Sequence, residues 1–226
     1  MGIIQQNLSE VLEKIKLASN DRDDVKLLAV SKTKPVSMIL EAFNANQRIF
    51  GENKVQEARE KSPQLPEEIN WHLIGPLQKN KVKHCPQIFS TIHTVNKIEI
   101  AELISVKSFE ADVIMEVLVQ MNLSGEETKS GVSNYEELKK LNDKIIGLKN
   151  VRLVGLMTMG DPNVSDSQNR KYFSELREIL LKEAVRLGLK DQFTELSMGM
   201  SSDYELALKE GATYIRVGSA IFGNRK

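Results

Sequence analysis

The chain has 226 residues, 41% of them hydrophobic and 27% charged, with Lys plus Arg and Asp plus Glu both at 31. That length and balance suit one globular α/β domain over residues 1–226, and they exclude the net positive field of a generic nucleic-acid or anionic-membrane binder. No apolar run approaches the roughly 20 residues that span a bilayer, the first residues lack a secretory signal's pattern, and the single cysteine, Cys85, has no internal partner, so a reducing, cytoplasmic location is expected.

Residues 3–18 carry Ile4, Leu8, Val11, Leu12 and Ile15 at a helical period, which predicts an amphipathic helix ahead of everything else. From there strands and helices alternate. A strand at 27–31 is followed by Pro35, which suits a position just inside a helix that runs to about 45. A short strand at 48–51 precedes a helix over 53–61, and a strand at 71–75 precedes a short helix over 77–83. Strands at 88–95 and 113–120 flank a helix over 97–106, and the helix after them shows Tyr135, Leu138, Leu141 and Ile145 on one face.

The second half repeats the pattern. A strand at 153–157 leads to a long helix capped by Asp166 or Ser167 and stopped by Gly188. A strand at 193–197 carries a charge, Ser201, Ser202 and Asp203 cap a helix ending near 211, and residues 214–217 form an eighth strand. Eight strand–helix units in this length predict a (β/α)8 TIM-type barrel with an extra N-terminal helix. An open doubly wound sheet shares the alternation and is the competing architecture.

Closure into a barrel would set the first and last strands side by side, and the candidate chemistry lies at their ends. Lys32 sits where strand one meets its loop, the rim that carries barrel active sites, on the same face as Leu28 and Val30. Partial desolvation there favours a neutral, nucleophilic amine, although a solvated loop lysine beside Lys34 is the plainer reading of this segment alone. The run 197–203 contains Gly199 and a helix start at Ser201 or Ser202, which suits an anion or nothing more than a cap. Gly218 and Ser219 repeat that composition after strand eight, and phosphate sites in this fold use the loops after strands seven and eight.

Arg216 lies between Ile215 and Val217 inside an apolar strand, where a lone charge is costly. Either a carboxylate on a neighbouring strand pairs with it, or its guanidinium donates to a ligand's ring nitrogen. Amine, guanidinium and two anion loops on one rim match the needs of a phosphorylated aldehyde cofactor.

The strings at 29–35 (AVSKTKP), 50–53 (FGEN), 71–78 (WHLIGPLQ), 155–157 (GLM), 196–201 (LSMGMS) and 216–223 (RVGSAIFG) resemble the YggS/PROSC family of pyridoxal phosphate homeostasis proteins, from about residue 3 onward. The family in turn is similar to the barrel of alanine racemase, the fold-type III arrangement of pyridoxal phosphate proteins. The resemblance implies that Lys32 holds pyridoxal 5′-phosphate as an internal aldimine and that Arg216 faces the pyridine nitrogen. It implies phosphate contacts from Ser201, Gly218 and Ser219, and a place near the cofactor for Asn53.

Function then turns on what accompanies the site. Alanine racemase brings a tyrosine from a second, β-rich domain as a partner acid–base group, and none of Tyr135, Tyr172, Tyr204 or Tyr214 matches that donor. The resemblance therefore implies vitamin B6 homeostasis: buffering the cofactor or delivering it to pyridoxal phosphate-dependent apoenzymes, without a committed reaction. A one-base racemase-like enzyme is the alternative, and a Schiff-base aldolase using Lys32 on a sugar phosphate is a third, from another class.

Other signals are weaker. His72, His84, His93 and Cys85 show no metal-ligand spacing, and His72 reads as a satisfied core histidine. The basic run 78–84 reads as a solvated helix face, with attraction for a phosphate-bearing ligand or a recipient protein as the functional option. Lys129, after strand five, is a second candidate amine.

Overall fold

The computed structural model describes residues 2–126 and 130–223. Its strands are β1 (Lys26–Val30), β2 (Ile49–Glu52), β3 (Asn70–Leu73), β4 (Phe89–Val95), β5 (Met115–Gln120), β6 (Val151–Met157), β7 (Glu195–Met200) and β8 (Tyr214–Val217). They close in sequence order into a parallel barrel, with β1 hydrogen-bonded to β8 in the register Leu28 to Arg216 and Ala29 to Val217. The open-sheet alternative is thereby removed.

The helices are α1 (Ile3–Ala18), α2 (Val36–Asn44), α3 (Val55–Lys61), α4 (Ile98–Glu110), α5 (Tyr135–Ile146), α6 (Asp166–Leu187), α7 (Tyr204–Lys209) and α8 (Ser219–Phe222). Helix α1 has the expected bounds and buries Ile4, Leu8, Val11 and Ile15. The short helix expected over 77–83 is present as 3₁₀ helix at Lys79–His84. The polar spacing of that basic run leaves only Val82 buried, too little apolar surface to anchor a regular amphipathic turn.

Several boundaries shift for identifiable reasons. Pro35 occupies the N-cap of α2, one residue before the first helical position. Ser165 caps α6, its hydroxyl accepting from the Gln168 N–H, and Gly188 closes that helix with φ 69°. Strand β7 continues to Met200, so Ser197 to Met200 are strand residues, and a turn over 201–203 precedes the six-residue α7. Asp203 stands at the N-cap of α7, but its carboxylate accepts from the Met200 N–H and makes no capping bond into the helix.

Most of the core lies between the outer faces of the strands and the helices, with Phe50, Phe173 and Phe193 among its largest buried side chains. No helix among the described residues is long and apolar enough to cross a membrane.

Candidate functional site

Strand β1 stops at Val30, so Lys32 is not a strand residue, contrary to the alternation argument. The Ser31 N–H still joins the ladder through the Gly51 carbonyl, and the Lys34 N–H then returns to the Ser31 carbonyl at 3.0 Å. Thr33, third in that four-residue turn, has φ 63°, as a type II turn requires at that position. A β-branched residue there is unusual, and such strain gathers at functional sites. Lys32 is half-buried and forms part of a cavity of about 280 Å³ at the C-terminal mouth of the barrel.

The same cavity is lined by Arg216, Ser201, Gly218 and Ser219, together with the apolar Val30, Ile74, Met157, Met159 and Met200. Five of the six sequence-named residues therefore converge. Asn53 does not line the cavity: it follows β2, half-buried, with its backbone so close to Gly75 that a Cβ there would sit 2.2 Å from the Asn53 carbonyl oxygen. Lys129 lies outside the described residues.

The closeness of the β1 and β8 loops is enforced by packing. A side chain at Gly218 would meet the Val30 carbonyl at 3.2 Å, and the Gly218 N–H donates to Ser201 Oγ at 3.2 Å. Ser201 thus joins the loops after β7 and β8, while the first N–H groups of α8 have no acceptor within the helix. Lys34, which sequence reasoning set aside, donates to the carbonyls of Phe222 and Gly223 at 3.1 and 2.9 Å. It fastens the turn carrying Lys32 to the far end of α8 and itself lines the cavity. Only its repeat two positions after Lys32 hinted at this.

Arg216 is buried, and its partners decide between the two readings of its charge. Nη1 donates to Ser197 Oγ at 2.7 Å and Nη2 to the Thr158 carbonyl at 2.9 Å; no carboxylate pairs with it among the described residues. Burial pulls the guanidinium down to about 10, with the Asp203 charge opposing, so it stays protonated at neutral pH. It keeps further N–H donors for a ligand in the cavity.

Behind Arg216 runs a file of polar groups that the sequence did not announce. Ser197 Oγ lies 2.8 Å from His93 Nδ1, and His93 Nε2 lies 2.8 Å from His72 Nδ1. Strands β4 and β7 are not neighbours in the closed order, so the His93–Ser197 bond crosses the barrel interior. Arginine only donates, which makes the serine an acceptor from it and frees the serine proton for His93 Nδ1. His93 then donates from Nε2 to His72 Nδ1, and both rings are Nε2–H tautomers assigned by the network.

His72 Nε2, buried without a hydrogen-bond partner, ends the file, with the Tyr214 ring edge-on at 5.4 Å between centroids. His72 is therefore a core histidine, but only half satisfied. Burial, with the Lys26 charge adding, lowers it to about 3; burial, then His72, Arg216 and Lys26, lowers His93 well below the usual range. Both are neutral at pH 7. Cys85, also buried, is pushed up to about 12 by desolvation and is not a reactive thiol.

Closed barrel and rim site together define the class of the alanine racemase N-terminal domain, whose family model matches residues 3–226. A pyridoxal phosphate homeostasis protein of Pseudomonas aeruginosa is 40% identical, the match covering 100% of this chain and 97% of the relative. The chain belongs to the pyridoxal phosphate homeostasis protein family. The structure of PipY from Synechococcus elongatus with PLP bound superposes with a TM-score of 0.87 at 34% identity, covering 97% of this chain and 100% of that one. Alanine racemase of Clostridium difficile shares the fold at TM-score 0.74 and 16% identity; the match covers 97% of this chain and 57% of the racemase.

Proposed function

We propose that the chain works as one domain over residues 1–226 that binds pyridoxal 5′-phosphate, buffers it and delivers it to apoenzymes in the cytoplasm, without a committed reaction of its own. The observation that carries this reading is the convergence of the Lys32 amine, the Arg216 guanidinium and the Ser201, Gly218 and Ser219 loops on one methionine-walled cavity. The donor set fits the cofactor: an amine for the aldehyde, a cation beside the ring nitrogen, small residues and N–H groups for the phosphate, and polarizable apolar walls for the ring. The names of the relatives, and PipY with PLP bound, support it.

The cofactor, when bound, supplies an aldehyde that exchanges between amines. Lys32 supplies the protein's amine. Arg216, fixed by Ser197 and Thr158, would hold a positive charge beside the ring nitrogen and so would disfavour its protonation, which would weaken the electron sink that racemisation needs. No tyrosine or histidine lines the cavity among the described residues, and Lys34, which does line it, donates to the Phe222 and Gly223 carbonyls. Asn53 acts at one remove, by packing against Gly75 on the rim.

Borohydride reduction of protein mixed with pyridoxal phosphate, followed by peptide mapping, is expected to place the pyridoxyl group on Lys32. A label confined to Lys34 or Lys129 refutes the assignment. Solvent deuterium entering Cα of added amino acids, and lost in Lys32→Ala, instead establishes the racemase-like alternative.

A further inference from the structure

Away from the cavity, a buried ionic cluster holds the backbone on both sides of Lys32. Lys61, the last residue of α3, is 8% exposed. Its ammonium donates to the Ser31 carbonyl at 2.9 Å, to Glu52 Oε1 at 2.9 Å and to Glu57 Oε1 at 2.6 Å. Those bonds use every proton the group has. Glu52 Oε1 also accepts from the Ser31 hydroxyl at 2.7 Å, and Glu57 Oε1 accepts from the Thr33 N–H. Ser31 and Thr33 are the neighbours of Lys32, so both peptide planes around it are tied to one cation and its two carboxylates.

Stability alone does not account for the cluster. Buried ion pairs are weak evidence of stabilisation, since apolar replacements often do as well. Here Glu52 is fully buried and its Oε2 has no partner, which is a cost the fold accepts. Burial pushes Glu52 up, with the Ser31 and Lys61 contacts opposing. What the cluster does achieve is geometric: it holds Thr33 in a left-handed conformation that a β-branched residue disfavours. That conformation closes the turn in which Lys32 stands.

Resting on the functional reading above, we infer that Lys61, Glu52 and Glu57 form a positioning clamp that aims the Lys32 amine into the cavity, though none of the three lines it. The clamp acts on the backbone and not on the cofactor. Its loss therefore slows reaction with a ligand oriented by the cavity but spares reaction with a small reagent that needs no orientation.

The test uses Lys61→Met, with Glu57→Ala as a milder variant at a half-buried position and Lys61→Arg as the conservative rescue. Three quantities are read on folded protein: amide exchange at Thr33 without cofactor, the rate of pyridoxal phosphate addition at Lys32, and labelling of Lys32 by trinitrobenzenesulfonate. In Lys61→Met, Thr33 exchange is expected to quicken about tenfold or more. Cofactor addition is expected to slow by about a hundredfold, the scale set by a misplacement of about 1 Å, with trinitrophenylation not slowed and Lys61→Arg restoring much of the difference.

Should Lys61→Met not fold, Glu57→Ala, which removes the Thr33 acceptor, is read the same way with smaller changes. Unchanged Thr33 exchange and unchanged cofactor addition in a folded variant overturn the clamp. So does an equal slowing with both reagents, because that describes general damage. If wild-type protein adds no cofactor at Lys32, the functional reading fails, and Thr33 exchange still decides whether the clamp exists.

Discussion

Replacing Ser197 with alanine removes one hydroxyl and strands two buried groups at once. Arg216 Nη1 loses its acceptor at 2.7 Å and His93 Nδ1 loses its donor at 2.8 Å, both on buried side chains. A hydrogen bond to a charged group contributes about 1.5–3 kcal/mol and an orphaned buried neutral group costs about 1–3 kcal/mol, so the expected destabilisation is roughly 3–5 kcal/mol. In a chain of this size each kcal/mol moves Tm by about 2–4 °C, which gives a drop of roughly 6–20 °C.

Thermal and urea unfolding followed by circular dichroism measure the change, and two-dimensional ¹⁵N spectra of the imidazoles read the tautomers directly. In wild-type protein both His93 and His72 are expected as Nε2–H forms. A destabilisation below about 1 kcal/mol, within the range of ordinary surface substitutions and their scatter, together with unchanged tautomers, would show that Ser197 does not anchor the file.

The two neutral histidines make stability depend on acid. Between the usual value of 6.5 and the lowered values in the fold, the unfolded chain binds protons that the folded chain refuses, so stability rises with pH and falls as pH drops below about 6.5. Two such groups give a slope of at most about 2.7 kcal/mol per pH unit, reduced where Glu52 and Asp203, both raised by burial, take protons in the fold. His93→Gln should lower that slope by about one proton, or about 1.4 kcal/mol per pH unit, in urea titrations run from pH 7 to 5; an identical slope contradicts the neutral assignment. Gly199 has φ 87°, and a Cβ there would sit 2.6 Å from Ala207 Cβ and 2.9 Å from Tyr204 Cα. Gly199→Ala is expected to cost roughly 2–5 kcal/mol from the left-handed backbone and overpacking together, and to loosen the loop that carries Ser201; a variant as stable as wild type argues against both.

The order of elements was legible in the chain because apolar periodicity is a local property, and eight strand–helix units in 226 residues leave few ways to fold. The bounds of α1, the αL stop at Gly188 and five residues that line the mouth cavity, Lys32, Arg216, Ser201, Gly218 and Ser219, were all within its reach. Each stood out as a local irregularity: a charge in an apolar run, or glycine and serine at a strand's end. The role of Lys61 was hidden, because a lysine closing an amphipathic helix looks like any solvated lysine. Likewise, nothing in the spacing of His72, His93 and Ser197 shows that three strands aim them at one another.

By itself, then, the sequence determined the class of fold and which residues have the chemistry for a phosphorylated aldehyde. Only closure of the barrel decided that Leu28 stands beside Arg216, that Ser197 bonds His93 across the interior, and that a buried ammonium grips the residues flanking Lys32. The reason is physical. Periodicity and turn chemistry act over a few residues, whereas the direction of a buried donor is settled by the acceptors that distant strands bring to it.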